Sequence, residues 1–274
     1  MPDLTPGVPS ALSPLIRRIV APNPGPMTGP GTNTYLVGID EVAVIDPGPD
    51  DKKHIDAIVG ASMKERVRWV ILTHTHPDHA PGTARLVKAT GAEVLAFSKR
   101  DPIVTPDRAI GDGAIIEGSE WGLEALHTPG HTPNHLCFWL EEERVLFTGD
   151  HILNGTTTVI SPQSGGDMIQ YLKSLERLRK LRIARIAPGH GDVIEEPRAK
   201  IDEYLEHRKL RERQILKALK AGPARVRDIA AGIYTDTPDE LKEMAERQVH
   251  AHLLKLKTEG KVEGGSVKSA WKLA

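Results

Sequence analysis

Residues 73–79 constrain this chain more than any other segment. They read Thr-His-Thr-His-Pro-Asp-His, which places three imidazoles and a carboxylate within six residues. The segment follows a β-type apolar run at residues 67–72 and precedes a helix-compatible run at residues 84–89. Ligand-type side chains between a strand and a helix are typical of active sites in α/β folds. The sequence therefore predicts a mixed α/β fold with a metal site in this loop.

The spacing within the loop separates its ligands into two pairs. In an extended or turning segment, His74 and His76 point the same way because side chains two residues apart share a face. Asp78 and His79 fall beyond the bend and can face a second position. One loop can therefore serve two metal ions. The alternative is a solvated polar loop that carries histidines by coincidence, which such motifs sometimes are.

Three later positions carry the same kind of side chain in the same kind of place. His131 stands in His-Thr-Pro-Gly-His-Thr-Pro, Asp150 in Phe-Thr-Gly-Asp and His190 in Pro-Gly-His-Gly. Each follows a strand-like run and lies beside Gly or Pro, which favour tight turns that fix a side chain at a sheet edge. A site with two metal ions needs more ligands than the first loop supplies, and these positions provide them.

The order of the predicted elements indicates a layered α/β sandwich, because strands and helices are mixed in two successive halves. The predicted helices cover residues 52–63, 84–89 and 167–181. The predicted strands cover residues 35–38, 42–46, 67–72, 93–97, 114–116, 123–126, 135–140, 144–147 and 183–187.

The C-terminal part forms a second predicted module. Helical patterns at residues 198–220, 226–231 and 238–258 precede two short strands around a Gly-Gly turn within residues 261–273. Three helices followed by a small ribbon resemble a winged helix, a relative of the helix-turn-helix that is used on nucleic acids. We predict a catalytic domain at residues 1–205 and this winged-helix-like domain at residues 206–274.

Charge is divided unevenly between the two modules. Residues 208–274 carry fifteen Lys and Arg against nine Asp and Glu, whereas the rest of the chain carries 21 against 28. The tail could use its basic side chains on phosphates, or it could shape the substrate pocket or a homodimer. The candidate phosphate contacts are Lys242, Arg247, Lys255, Lys257, Lys261 and Lys268.

Five motifs together resemble the metallo-β-lactamase superfamily. They stand in order at residues 45–46, 74–79, 131, 150 and 190, and the resemblance covers residues 15–200. It implies a four-layer αββα sandwich and a metal-dependent hydrolase. Aspartate rather than cysteine at position 150 departs from the antibiotic-hydrolysing branch and resembles the glyoxalase II, lactonase and nuclease branches.

The superfamily's pattern also implies a ligand set, with Asp78 and Asp150 as the catalytic carboxylates. Such donors suit two Zn²⁺ ions, and Fe or Mn is compatible with them. Two cations about 3.5–4 Å apart would convert a shared water to a bridging hydroxide. One ion would be held by His74, His76 and His131 and the other by Asp78, His79 and His190, with Asp150 bridging and Asp46 orienting a ligand imidazole.

With the winged-helix tail, residues 32–37, 149–159 and 188–194 resemble the β-lactamase-like protein 2 family almost end to end. Its animal members are endoribonucleases that act on single-stranded RNA, whereas many bacterial relatives are simply called hydrolases. Our first hypothesis is therefore phosphodiester cleavage of single-stranded RNA, although 4% aromatic residues leave few platforms for base stacking. The second is hydrolysis of a thioester, lactone or other ester. The third is a non-catalytic nucleic-acid-binding regulator, which the complete ligand set argues against.

Other polar side chains have predicted roles of their own. Four are candidate substrate-binding residues, each with a structural role as the alternative: Asn33, Tyr35, His135 and His151. We expect four further histidines to lie on the surface: His54, His207, His250 and His252.

The compartment is predicted from what the sequence contains. A single cysteine, Cys137, excludes an internal disulfide and fits a reducing compartment. No apolar run approaches the roughly 20 residues that cross a bilayer, and the N-terminal residues do not read as a secretion signal. We therefore expect a cytoplasmic protein with no membrane partner.

Overall fold

The chain divides into two units of packed structure. The computed structural model describes residues 4–98 and 103–274. The predicted domain boundary between residues 205 and 206 falls inside one continuous helix, Pro197–Leu219, so a division at that point stays a prediction. The first unit contains the chain up to Thr128, Asn134–Thr157 and Arg182–Pro197, and the second contains Pro129–Pro133, Thr158–Leu181 and Arg198–Ala274.

The first unit contains a seven-stranded sheet whose strands follow one another in chain order. They are β1 (Ser10–Ala11), β2 (Ile16–Val20), β3 (Asn33–Val37), β4 (Glu41–Ile45), β5 (Arg66–Ile71), β6 (Glu93–Ala96) and β7 (Arg108–Ala109). Strands β1 to β4 pair antiparallel, and strands β4 to β7 pair parallel. Parallel pairing needs crossovers, which α1 (Lys52–Ala61) and α2 (Thr83–Thr90) provide.

Parallel pairing of β4 with β5 positions the first part of the site. Ile45 is the register partner of Ile71, so the two strands end side by side. Asp46 and the 73–79 loop follow these ends directly and lie at the same edge of the sheet.

A second sheet of five strands completes the first unit. It contains β8 (Ile115–Glu117), β9 (Gly122–His127), β10 (Leu136–Leu140), β11 (Val145–Gly149) and β12 (Arg185–Pro188), in the order β12-β11-β10-β9-β8. Strands β11 and β12 pair parallel, and the other neighbours pair antiparallel. Asp150 and His190 therefore follow adjacent parallel strands, as Asp46 and the histidine loop do in the first sheet.

The first sheet is buried on both faces. One face packs on the second sheet, where the ring of Tyr35 meets that of Phe147 edge-on at 5.1 Å. The other face packs under α1 and α2 through Ile55, Ile58 and Leu86. Burial on both sides explains why its central strands read as nearly continuous apolar runs rather than alternating ones.

The second unit is helical with a small ribbon. It contains α3 (Met168–Leu178), α4 (Pro197–Leu219, from Arg198 onward), α5 (Val226–Ile233) and α6 (Lys242–Thr258). Three short strands, β13 (Ala224–Arg225), β14 (Val262–Glu263) and β15 (Ala270–Leu273), pair in the order β13-β15-β14. Trp271 of the ribbon is fully buried against apolar side chains of α4, α5 and α6. The predicted three helices and ribbon are thus confirmed.

Every strand and helix predicted from the sequence is present, with ends that differ by a few residues. The strands that were not predicted are β2 and the two-residue strands β1, β7 and β13. In β2, Arg17 and Arg18 interrupt the apolar pattern, yet Arg18 is fully buried and pairs with Asp192 at 2.8 Å. No helix in the described part of the chain combines the length and apolar character that crossing a bilayer requires.

The prediction that four histidines lie on the surface is wrong for three of them. His54 and His252 are fully buried, His250 is 8% exposed, and His207 is half-buried. His54 stands four residues before Ile58 and His252 four residues before Leu256, so each shares the buried face of its helix.

We expect acid to destabilise the fold through these histidines. Burial lowers the pKa of His54 to about 4, and burial with Arg208 nearby lowers that of His207 to about 4. An unfolded histidine titrates near about 6.5, so between that pH and 4 the unfolded state binds more protons than the folded state. The free energy of unfolding therefore falls as the pH falls through this window, by about 3 kcal/mol for His54 alone.

Urea unfolding between pH 7 and pH 4 measures this effect. His54→Gln should flatten the pH dependence, because the substituted side chain does not titrate. Ile55→Val, on the same helix, should lower the free energy of unfolding by about 1 kcal/mol at every pH. Equal pH slopes in wild type and His54→Gln would contradict the assignment.

A candidate dinuclear metal centre

Asp46 connects the two strand ends at the edge of the first sheet. Its backbone φ is +52°, a left-handed conformation that is uncommon outside glycine. Its carboxylate accepts hydrogen bonds from the Thr73 amide at 2.8 Å and from the Thr73 hydroxyl at 2.6 Å. The start of the histidine loop is therefore attached to the end of β4 through one buried side chain.

The same carboxylate orients His79. Asp46 Oδ2 lies 2.9 Å from His79 Nδ1, and because a carboxylate accepts, Nδ1 carries the proton. In the neutral imidazole the lone pair of His79 is then on Nε2, which lies 3.3 Å from Asp150 Oδ1 and 3.5 Å from Asp78 Oδ2. His190 directs its own Nε2 to the same two oxygens, at 3.2 Å from each. Two imidazoles and two carboxylates thus converge on one point.

A second group of donors lies on the other side of Asp150. His74 Nε2 is 3.0 Å from His76 Nδ1 and 3.9 Å from Asp150 Oδ2. The Thr73 hydroxyl lies 3.0 Å from His74 Nδ1 and gives its proton to Asp46, so it accepts from His74 and leaves Nε2 with the lone pair. Donor atoms of each group lie within 4.8 Å of one another. Asp150 therefore offers one oxygen to each side of a two-centre cluster.

Gly149 lets the Asp150 turn approach the histidine loop. Its φ is +44°, and a Cβ at this position would lie 2.5 Å from Thr73 Oγ1. A side chain here would push the Asp150 carboxylate away from the cluster, so close packing against Thr73 requires glycine in the Phe-Thr-Gly-Asp motif.

His131 belongs to residues 129–133, which group with the second unit and are fixed by α3. The Asp167 amide donates to the Gly130 carbonyl at 2.8 Å, and a Cβ at Gly130 would collide with the backbone of Tyr171. His131 Nδ1 lies 2.7 Å from the Val159 carbonyl oxygen. A carbonyl only accepts, so Nδ1 carries the proton and Nε2 the lone pair. The predicted role of His131 as a ligand stays a prediction.

The ionisable groups of this cluster shift one another's pKa values. Burial alone would lower the pKa of His79, but Asp150, Asp78 and Asp46 raise it well above its usual value. Burial also lowers the pKa of His190, but Asp150 and Asp78 raise it to about 9. Against the opposite effect of burial, His190 and His79 hold the pKa of Asp150 well below its usual value.

The donor set fits divalent metal ions. Without a cation, protons on His79 and His190 offset the buried carboxylates, and a metal bound by the same atoms would replace those protons. Imidazole with carboxylate suits Zn²⁺, Fe or Mn. The cluster is therefore compatible with a dinuclear metal site.

The four predicted substrate-binding residues are all buried. The Tyr35 hydroxyl donates to the Pro188 carbonyl at 2.8 Å, and Asn33 Nδ2 donates to the carbonyls of Pro188 and Gly191. These contacts hold the turn that carries His190. The His135 ring lies 5.2 Å from that of His74 and 5.6 Å from that of His151. A role of any of the four in binding substrate stays a prediction.

The sequence analysis did not identify Thr73, whose hydroxyl donates to Asp46 and accepts from His74. Its place directly before the first histidine was a signal that could have been used, because a hydroxyl beside a ligand imidazole is a natural hydrogen-bond partner. The Val159 carbonyl that contacts His131 had no signal, since any residue supplies a backbone carbonyl.

Comparisons with known proteins agree with this geometry. The family model of the metallo-beta-lactamase superfamily matches residues 27–190, and that of the beta-lactamase associated winged helix domain matches residues 226–271. The crystal structure of a metallo-beta-lactamase family protein from Thermus thermophilus superposes with a TM-score of 0.81 at 24% identity, covering 96% of this chain and 100% of that one. The predicted fold class is confirmed.

Two curated relatives define the family more closely. The beta-lactamase-like protein 2 homolog of Caenorhabditis elegans is 36% identical, and the match covers 96% of this chain and 91% of that protein. The atrochrysone carboxyl ACP thioesterase of Aspergillus fumigatus is 36% identical over 80% of this chain and 69% of its own length. From these matches and the donor cluster, the chain belongs to the metallo-β-lactamase superfamily, as a metal-dependent hydrolase of the β-lactamase-like protein 2 family with a C-terminal winged-helix domain.

Proposed function

We propose that this hydrolase cleaves a thioester or a related carboxylic ester, using water as the nucleophile. The observation that carries the proposal is the similarity to an ACP thioesterase across 80% of the chain, considered together with the donor cluster of the first unit. This was the second of the two catalytic hypotheses drawn from the sequence.

Single-stranded RNA, the first hypothesis, is supported less well by the surface. Nine of the eleven Phe, Trp and Tyr residues, all in the described part of the chain, are buried, and Phe97 and Tyr234 are half-buried, so few platforms are open to bases. Most of the candidate phosphate contacts already pair with carboxylates. The pairs are Lys242 with Asp239, Arg247 with Glu243, Lys255 with Glu212 and Glu259, and Lys261 with Glu259.

We further propose the ligand set that the superfamily pattern implies, with Zn²⁺ as the metal. Bound divalent cations supply Lewis acidity, which lowers the pKa of a water molecule and stabilises charge on a substrate oxygen. Asp78, His79 and His190 would form one site and His74, His76 and His131 the other, with Asp150 shared by both.

Asp46 is the positioning residue of this proposal. It keeps the proton of His79 on Nδ1 directly and that of His74 on Nδ1 through Thr73. One carboxylate would thus prepare one imidazole for each metal ion.

The substrate proposal is tested with zinc-loaded protein on a panel of acyl thioesters, lactones and labelled single-stranded RNA. We expect thioester or ester turnover that falls about 100-fold or more in Asp78→Asn, because one metal ligand loses its charge. Asp56→Asn, which removes an exposed carboxylate paired with Lys52 on α1, is the matched control and should retain turnover. RNA cleavage that Asp78→Asn abolishes, with no turnover of any ester, would reject the proposal in favour of the nuclease.

The positioning role is tested by metal affinity. We expect Asp46→Asn to weaken Zn²⁺ binding by about 10–100-fold, since an amide NH₂ facing His79 Nδ1–H cannot accept its hydrogen bond. Competition with a chromophoric chelator measures the affinity, and Asp56→Asn again serves as the control. Wild-type affinity in Asp46→Asn would remove Asp46 from the site.

A further inference from the structure

A short segment of the second unit is held by two side chains of neighbouring helices. This segment, residues 158–160, is here named the strap. The Thr158 carbonyl accepts hydrogen bonds from Arg208 Nη2 of α4 at 2.6 Å and from Gln248 Nε2 of α6 at 2.7 Å. Gln248 Oε1 also accepts from the Ile160 amide at 3.2 Å. The amide of Gln248 therefore fixes the peptide groups on both sides of Val159.

The residue between these two contacts faces His131. The Val159 carbonyl oxygen lies 2.7 Å from His131 Nδ1, and this contact places the proton on Nδ1. If the strap rotated, the Val159 carbonyl would no longer point at His131 Nδ1, and the imidazole could carry its proton on Nε2 instead. Strap geometry therefore sets whether His131 offers a lone pair from Nε2.

Arg208 is a buried cation, and its burial indicates that it does more than stabilise the fold. Arg208 is 1% exposed. Among the residues that the structure describes, no carboxylate lies within ion-pairing distance of its guanidinium. Its Nε and Nη1 have no hydrogen-bond partner there, and its guanidinium lies 5.2 Å from the ring centre of Tyr171. Burying a charge without a counter-ion is costly. The short hydrogen bond from Arg208 Nη2 to the Thr158 carbonyl partly offsets this cost, so the buried guanidinium is directed at the strap.

We propose that Arg208 and Gln248 are positioning residues for the metal centre, which they serve by holding the strap that sets the proton of His131. Gln248 lies within the segment matched by the winged-helix family. The inference rests on the proposed function in one respect, the assignment of His131 as a ligand.

The test uses the full-length protein and Co²⁺, whose visible absorption reports each bound ion. We expect wild type to bind two ions per chain. Gln248→Met and Arg208→Met should keep one ion at wild-type affinity and bind the other about 10–100-fold more weakly. Gln248→Glu keeps an acceptor for the Ile160 amide and loses the donor to Thr158, so it should show a smaller loss. Val249→Ala, at a buried position on the same helix within the apolar core of the second unit, should lower stability but keep both ions.

A second readout follows the imidazole of His131 directly. In metal-free protein, ¹⁵N NMR of the histidine rings should show the proton of His131 on Nδ1 in wild type and Val249→Ala, and a mixture of tautomers in Gln248→Met. Two tightly bound ions in Gln248→Met and Arg208→Met, or a wild-type His131 protonated on Nε2, would overturn the inference and leave the proposed function standing. Fewer than two ions in wild type would overturn the metal assignment itself, whatever the tautomer.

Discussion

The arrangement of this site depends on the buried carboxylate of Asp46. It accepts from the amide and hydroxyl of Thr73 and from the ring of His79, so a single anion joins the end of β4 to the loop after β5. Charged hydrogen bonds of this kind are short and directional. They hold the Thr73 amide, the Thr73 hydroxyl and the His79 ring in place, although the backbone of Asp46 itself is in an uncommon left-handed conformation. The two imidazoles that depend on Asp46 fall on opposite sides of Asp150.

The two sheets explain why these groups can meet. In each sheet the candidate ligands follow a pair of adjacent parallel strands, β4 with β5 and β11 with β12. The apolar core between the sheets packs the two pairs together, with Tyr35 against Phe147 at its centre and the Tyr35 hydroxyl on the turn that carries His190. Core packing and ligand placement are therefore performed in part by the same side chain.

Much of this organisation was predictable, because the strands are uniform apolar runs and the ligands stand directly at their ends. Residues 67–72 and 144–147 illustrate both features. The surface prediction failed for His54 and His252 because a polar side chain is buried when a specific partner or a helix face requires it, and neither can be read from the residue alone. Contacts to backbone carbonyls, such as those of Thr158 and Val159, leave no trace in sequence because every residue has one. The positions of Arg208 and Gln248, 50 and 90 residues from Thr158, could not be linked to Thr158 without coordinates.

Helix α3 groups with the helices of the tail. The boundary between the two structural units therefore does not coincide with the end of the superfamily motifs. Residues 158–181 belong to the same unit as residues 198–274, although the superfamily motifs continue to His190. A protein truncated after those motifs would lack the tail helices that share a unit with α3 and the strap. Gene rearrangements that exchange the tail for an unrelated domain would therefore damage the hydrolase, so the two segments are expected to be inherited together.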